Sequence, residues 1–375
     1  MAVETKTVKA SCLCGTFYHD ITLPSAAFPL YGHMCHCTTC RHVSGALATT
    51  PAFLPSSFEP SQPMLEKLST FKPTQRGTVY FCPTCGAQAM GRYRISGEDE
   101  ESKFLWIIAT GSLEQLDGIV EFGAHMQIRD TIDGGLATFL PSVDGKTLAR
   151  WPANYHEGEQ LPFDWTGAEQ GAVPEPSSKD MLHGSCKCKG TQFYIARPST
   201  RSALTEKYWP STPPNDCSES ELPPKSETHW LQDNRTKFLC SLCVCNSCRL
   251  ALGMEVTSWA FVPPCDIFLD AEGKTPVPHS MEFGTVKHYT SSLGIHRYFC
   301  GDCGATLFYN ADDRRHYTDI AMGLFDAPGG ARAESWFSWR PTGVDYAEDA
   351  EGRAESLARS IQAGFEAFQK QQDRK

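Results

Sequence analysis

The sequence predicts a mainly β protein built twice over: two zinc-stapled β domains in tandem, closed by a C-terminal amphipathic helix. Three observations predict it. A set of three cysteine motifs recurs in the same order in both halves of the chain. Short aromatic and β-branched segments sit beside those motifs, as strands do. Near the end, Ala354, Leu357, Ile361, Phe365 and Phe368 fall at three- and four-residue spacing among charges, as one helix face does.

The first motif is Ser11-Cys12-Leu13-Cys14-Gly15, which runs into the strand-like Thr16-Phe17-Tyr18-His19-Asp20-Ile21. The second is Cys35-His36-Cys37-Thr38-Thr39-Cys40-Arg41, followed by a turn and an apolar piece, Ala46 to Leu54, that Pro51 and Pro55 confine to a sheet edge or end. The third is Tyr80-Phe81-Cys82-Pro83-Thr84-Cys85-Gly86, a Cys-x-x-Cys knuckle whose glycine suits a left-handed turn. Phe104 to Ala109 is a continuous apolar run that reads as a buried strand.

From Leu161 to Asp180 the chain is polar and rich in proline, glycine and serine, which marks a linker. Beyond it the motifs return as Ser185 to Gly190, Cys243 to Arg249 and Tyr298 to Gly304. Such self-similarity fixes the organisation: a first domain over residues 8–160, a linker over 161–180, a second and more divergent domain over 181–345, and a helix over 346–375 that packs on the second domain. The second copy carries the longer insertions. The larger, Arg197 to Lys237, is hydrophilic and proline-rich and reads as a loop or lid.

With 375 residues, the chain is long enough for two domains with separate cores. A formal charge of -10 and 21% charged residues describe an ordinary acidic protein and do not suggest nucleic-acid binding through a basic face. The N-terminus lacks the apolar core of a signal peptide and no run approaches a membrane span. A cytoplasmic protein with no membrane partner is expected.

The 17 cysteines are an odd number in tight groups, which favours metal binding in a reducing compartment over a disulfide framework. Cys12, Cys14, Cys82 and Cys85 make a four-sulfur set that staples distant segments, and Cys186, Cys188, Cys300 and Cys303 repeat it. Cys35, Cys37 and Cys40, and again Cys243, Cys245 and Cys248, form triplets that leave a fourth position open, as catalytic zinc sites do. Two zinc ions per domain are therefore expected. A purely structural reading stays open, with an outside residue completing each triplet. Of the remaining cysteines, Cys217, Cys240 and Cys265, Cys240 is either a fourth thiolate for the second triplet or a small buried residue.

The ordered motifs Cys-x-Cys-Gly, Cys-His-Cys-x-x-Cys-Arg and Phe-Cys-x-x-Cys-Gly resemble the glutathione-dependent formaldehyde-activating enzyme family, which includes centromere protein V. The resemblance spans Val8 to Ile132 and again Leu182 to Trp339. It implies a tent-like β fold in each copy, with structural zinc on the outer motifs and catalytic zinc on the triplet. It also implies carbon–sulfur lyase chemistry on a small thiol/carbonyl adduct of the S-hydroxymethylglutathione type. His36 and His125 become candidate general acid/base groups, Arg41 a candidate carboxylate ligand, and Ser44 a match to the family's Ser-Gly.

The second copy departs from this pattern. Val244 stands for His36, Leu252 for Ser44, and Glu334-Ser335-Trp336-Phe337 for the region of His125. The working site is thus expected in the first copy, with the second chiefly architectural. Two further readings stay open: a zinc-dependent hydrolase, decarboxylase or other tailoring enzyme on a small metabolite, and a non-catalytic zinc-stabilised module that binds protein.

Overall fold

The computed structural model describes residues 4–94, 104–167, 177 and 179–372. Half of the linker predicted over 161–180, including Pro174 and Pro176, lies outside the described residues. The fold is mainly β, in two sheet-rich halves with a C-terminal helix.

Each half is built on one large sheet. In the first, the strand Leu30–Cys35 lies between Val120–Met126, to which it pairs in parallel, and Pro51–Phe53, to which it pairs antiparallel. Beyond Pro51–Phe53 come Phe104–Ala109, Gln88–Arg94, Gly77–Phe81 and Ser69–Phe71. The second half repeats the plan: Lys237–Cys243 lies between the parallel Phe337–Asp345 and the antiparallel Thr257–Val262, followed by Thr318–Ala321, Thr306–Ala311, Ile295–Cys300 and Val286–Ser292. An antiparallel hairpin flanks each sheet, Thr5–Ser11 with Tyr18–Pro24 and Met181–Ser185 with Gln192–Ala196. Thr257–Val262 is buried at every position, so its apolar residues, Trp259 to Val262, run together instead of alternating.

The two halves dock through contacts that each returns to the other. Gly323 donates its N–H to the Gly45 carbonyl at 2.9 Å, and Gly111 donates to the Gly253 carbonyl at 3.0 Å. Lys187 donates to the His42 carbonyl at 2.9 Å, and Leu13 to the Leu250 carbonyl at 3.1 Å. The knuckle glycines make the approach possible: a Cβ on Gly86 would lie 2.5 Å from Phe299, and one on Gly304 would lie 2.4 Å from Phe81. Both glycines also hold positive φ, +82° and +74°, where other residues are strained. The arrangement is an internal pseudo-two-fold, the isologous geometry of a symmetric dimer in a single chain.

The C-terminal helix, Glu355–Gln372, buries Leu357, Ile361 and Phe365, as its spacing predicts. Its docking differs from the expectation. Phe365 meets Trp339 of the second half, and both Phe365 and Phe368 lie 5.0 Å from Phe139 of the first. Asp117 of the first half accepts the N–H of Glu355 at 2.8 Å, so one half caps a helix that follows the other. The helix clasps both halves because its apolar stripe matches the groove they form together.

The insertion Arg197 to Lys237 is not a lid over a triplet. It forms the helix Thr200–Tyr208 and short turns, and Trp230 is buried beneath it with its Nε1 donating to the Ser202 carbonyl at 2.9 Å. None of its residues lines either triplet cavity. Its buried apolar residues hold it to the second half. Among the described residues, no helix is long and apolar enough to cross a membrane.

Candidate metal centres and their cavities

Two four-sulfur clusters join each hairpin to the knuckle of its own half. All ligand atoms of Cys12, Cys14, Cys82 and Cys85 lie within 4.8 Å of one another, as do those of Cys186, Cys188, Cys300 and Cys303. The Cys14 Sγ is 3.5 Å from those of Cys12 and Cys82, and the Cys188 Sγ is 3.4 Å from those of Cys186 and Cys300. A tetrahedron with arms of about 2.3 Å has edges of about 3.8 Å, so the donor sets fit zinc. The separations are far too long for disulfides, and all the cysteines are free.

The triplets are built by a strand running into a helix. Cys35 ends the strand Leu30–Cys35, Cys37 caps the helix Thr38–Ser44, and Cys40 sits in its first turn, where its N–H donates to the Cys37 Sγ at 3.3 Å. Cys243, Cys245 and Cys248 repeat this at the helix Asn246–Leu252, with 3.2 Å for the same bond. Each triplet forms a cluster of three. Cys240 is not part of it: three residues from Cys243 along a strand, it faces the other side and contacts the Ser338 carbonyl at 3.6 Å.

Each triplet borders a cavity. The first holds about 350 Å³ and is walled by apolar side chains, among them Val43, Phe53, Met90, Ile107 and Met126, with Met254 contributed by the second half. The second holds about 670 Å³ and is lined by Trp259, Phe261, Tyr309 and Tyr317 together with Arg297, Arg314 and Arg340.

His36 and His125 lie outside the first cavity. Strand alternation turns His36 away from Cys35 and Cys37, into the core. There its Nε2 stands 2.9 Å from the His125 Nδ1, and the His125 Nε2 donates to the Leu140 carbonyl at 2.7 Å. That carbonyl can only accept, so in the neutral pair His36 Nε2–H is the donor to His125. Burial first, then the nearby cations, holds His36 well below its ordinary pKa, and burial takes His125 down to about 3. Both are neutral at pH 7 and fully buried, out of reach of a ligand in the cavity. The position equivalent to His125 is Val344, not the Glu334 to Phe337 region expected from the sequence. His36 donates its N–H to the Met126 carbonyl at 3.0 Å, and Val244 donates to that of Asp345 at 3.2 Å, so the residues preceding Met126 and Asp345 correspond. A register irregularity between Cys240 and Leu242 lengthens the strand Phe337–Asp345 and displaces the match.

Arg41 does not line the cavity either. Its Nη1 donates to the Phe325 carbonyl at 3.3 Å across the interface, as Arg249 does to the carbonyls of Gly111 and Leu113 at 2.7 and 3.0 Å. Ser44 does line the cavity, with its Oγ donating to the Cys40 carbonyl at 2.8 Å. The residue that sequence reasoning passed over is His33. It lines the first cavity, stacks on Phe53 at 4.9 Å, and its Nδ1 has no hydrogen-bond partner among the described residues. Burial pushes its pKa down to about 4. Period-two alternation back from Cys35 and Cys37 would have found it.

A family model described as glutathione-dependent formaldehyde-activating enzyme matches residues 7–129 and 231–339. The second matched segment begins after Cys186 and Cys188, whose place in the second tetrad rests on the geometry. Comparison with curated proteins and with solved structures finds no match to either.

Proposed function

This chain belongs to the glutathione-dependent formaldehyde-activating enzyme family, and from that premise we propose that it is a zinc-dependent carbon–sulfur lyase acting on a small thiol/carbonyl adduct of the S-hydroxymethylglutathione type. The observation that carries this reading is the three-cysteine cluster, with no fourth ligand in its group among the described residues, at the edge of an apolar-walled cavity. Zinc held by Cys35, Cys37 and Cys40 would supply a Lewis-acid centre with an open position and, behind three thiolates, a preference for soft sulfur ligands.

The chain's own residues would then bind and orient the adduct. Phe53, Met90, Ile107 and Met254 exclude water from the reacting end, which strengthens every polar contact made there. His33, on the cavity wall and kept neutral by burial, would orient the adduct hydroxyl and so fix the carbon–sulfur bond relative to the thiolates. Cleavage leaves the bonding electron pair on sulfur, and the proton lost from the hydroxyl as the carbonyl forms ends on that sulfur, giving free thiol and carbonyl. His36, His125 and Arg41 support the site from the core and the interface. The apolar wall favours one alternative, a tailoring enzyme that uses the same thiolates on an apolar metabolite.

The test is turnover of S-hydroxymethylglutathione, and of apolar thiol adducts, by wild type, Cys37→Ser, His33→Ala and Cys245→Ser, each shown to be folded. Loss with Cys37→Ser, a fall of ~10²-fold or more with His33→Ala, and retention with Cys245→Ser are expected. Activity that survives Cys37→Ser and disappears with Cys245→Ser overturns the assignment of the site.

A further inference from the structure

We propose that the cavity over Cys243, Cys245 and Cys248 is a ligand site in its own right, selective for a small organic carboxylate with a planar body. The proposal does not rest on the chemistry assigned to the first cavity. It rests on three neighbouring strands whose register can be compared between the halves. In the first sheet Val79, Gly91 and Ile107 stand side by side and give their cavity an apolar wall. In the second sheet the same row reads Arg297, Tyr309 and Asp319. Drift in an idle copy would not be expected to place a buried cation, an aromatic ring and a carboxylate in one row, since burying an unpaired charge is costly.

Arg297 is the centre of the site. It is 4% exposed, stacks on Tyr309 at 4.9 Å, and donates from Nη2 to the Ser247 Oγ at 2.6 Å. Both Nη atoms lie 3.9 Å from the Cys248 Sγ, so Arg297 sets a positive charge beside a triplet cysteine at the position where the first half has Val79. Its Nε has no hydrogen-bond partner among the described residues, and neither has the buried Ser241 Oγ on the same cavity.

The carboxylates around the cavity do not answer these donors. Asp319 is held by both Nη atoms of Arg314 at 2.7 and 2.8 Å, and Asp349 accepts the Asn246 N–H at 2.9 Å. Glu348 is exposed, and Asp345 stands 3.6 Å from the Arg340 Nε. A ligand carboxylate would meet Arg297 in the forked geometry guanidinium favours, with Arg340, which keeps its 3.6 Å ion pair to Asp345, adding positive charge nearby, and the aromatic walls take a flat body.

The test is isothermal titration calorimetry of zinc-loaded, full-length protein with benzoate, and with benzamide and benzylamine as its neutral and cationic matches. Benzoate is expected to bind at least tenfold tighter than either match, and Arg297→Leu to weaken it at least tenfold with zinc content unchanged by elemental analysis. Arg340→Leu, at a more exposed position, is expected to weaken it several-fold and decides the matter if Arg297→Leu does not fold. Absence of benzoate binding, equal binding of benzoate and benzamide, or affinity unaffected by the folded variants would overturn the proposal.

Discussion

Replacing both members of the His36–His125 pair by valine is expected to cost little more than replacing one. In His36→Val the His125 Nδ1 loses its donor inside a closed core, and an unsatisfied buried polar atom costs about 1–3 kcal/mol. In His125→Val the His36 Nε2–H and the Leu140 carbonyl both lose their partner, so the cost lies at the upper end of that range or beyond. If the sites were independent, the double variant would lose the sum, about 4 kcal/mol. The second half shows why it should not. Val244 and Val344 occupy the same register, are buried, and leave the triplet that follows intact. The double variant is therefore expected within about 2 kcal/mol of wild type, a coupling of about 2 kcal/mol. Urea unfolding of the four proteins in a zinc-saturated buffer measures this, and elemental analysis with turnover completes it. Additive losses would refute the claim of a mutually satisfied pair. A folded, zinc-replete double variant with turnover reduced by orders of magnitude would place the histidines in the chemistry after all.

Two other outcomes follow from the buried groups. Cys85→Ser opens a cluster joining the hairpin to the knuckle and is expected to abolish soluble folded protein, whereas Cys37→Ser, whose partners are local, is expected to keep the fold; undamaged protein should carry four zincs, and equal collapse of both variants in circular dichroism melts would show that the triplet is a staple too. Asp266, buried beside Ser202, Arg201 and Cys265, has its pKa raised to about 7, chiefly by desolvation. Between pH 4 and 7 the unfolded chain has released this proton while the folded one keeps it, so stability is full below the unfolded pKa and falls as pH rises, by roughly 4 kcal/mol in total. Asp266→Asn is expected to flatten that slope in urea midpoints taken from pH 5 to 8, and an unchanged slope would contradict it.

The cysteine clusters that could hold metal were legible in the sequence because metal geometry dictates such spacing: tetrads and triplets assemble as the motifs imply. What surrounds them was not. Arg297 lies in a strand with no motif, and only its register opposite Tyr309 shows that it replaces Val79. His33 was hidden because the eye follows cysteines, although alternation from Cys35 points to it. His36 was over-read for the opposite reason, since a residue between two ligands along extended chain faces away from both. Val344 could not be matched to His125 by counting, because the strand that carries it has an irregular register. The clasp of the C-terminal helix depends on Phe139, which is remote in sequence and carries no helical signal.

The reciprocal docking also bears on how this chain could have diverged. The helix that carries the last thiolate of each triplet ends at a glycine whose carbonyl is bound by the opposite half, Gly45 by Gly323 and Gly253 by Gly111. Each triplet is thus aligned partly by its twin. A lineage that discarded one half would keep a tetrad able to hold metal yet lose the buttress for the surviving triplet. Selection on either cavity therefore preserves the backbone of both, while leaving the side chains facing the other cavity free to explore new ligands. Duplication here is better described as mutual scaffolding than as redundancy.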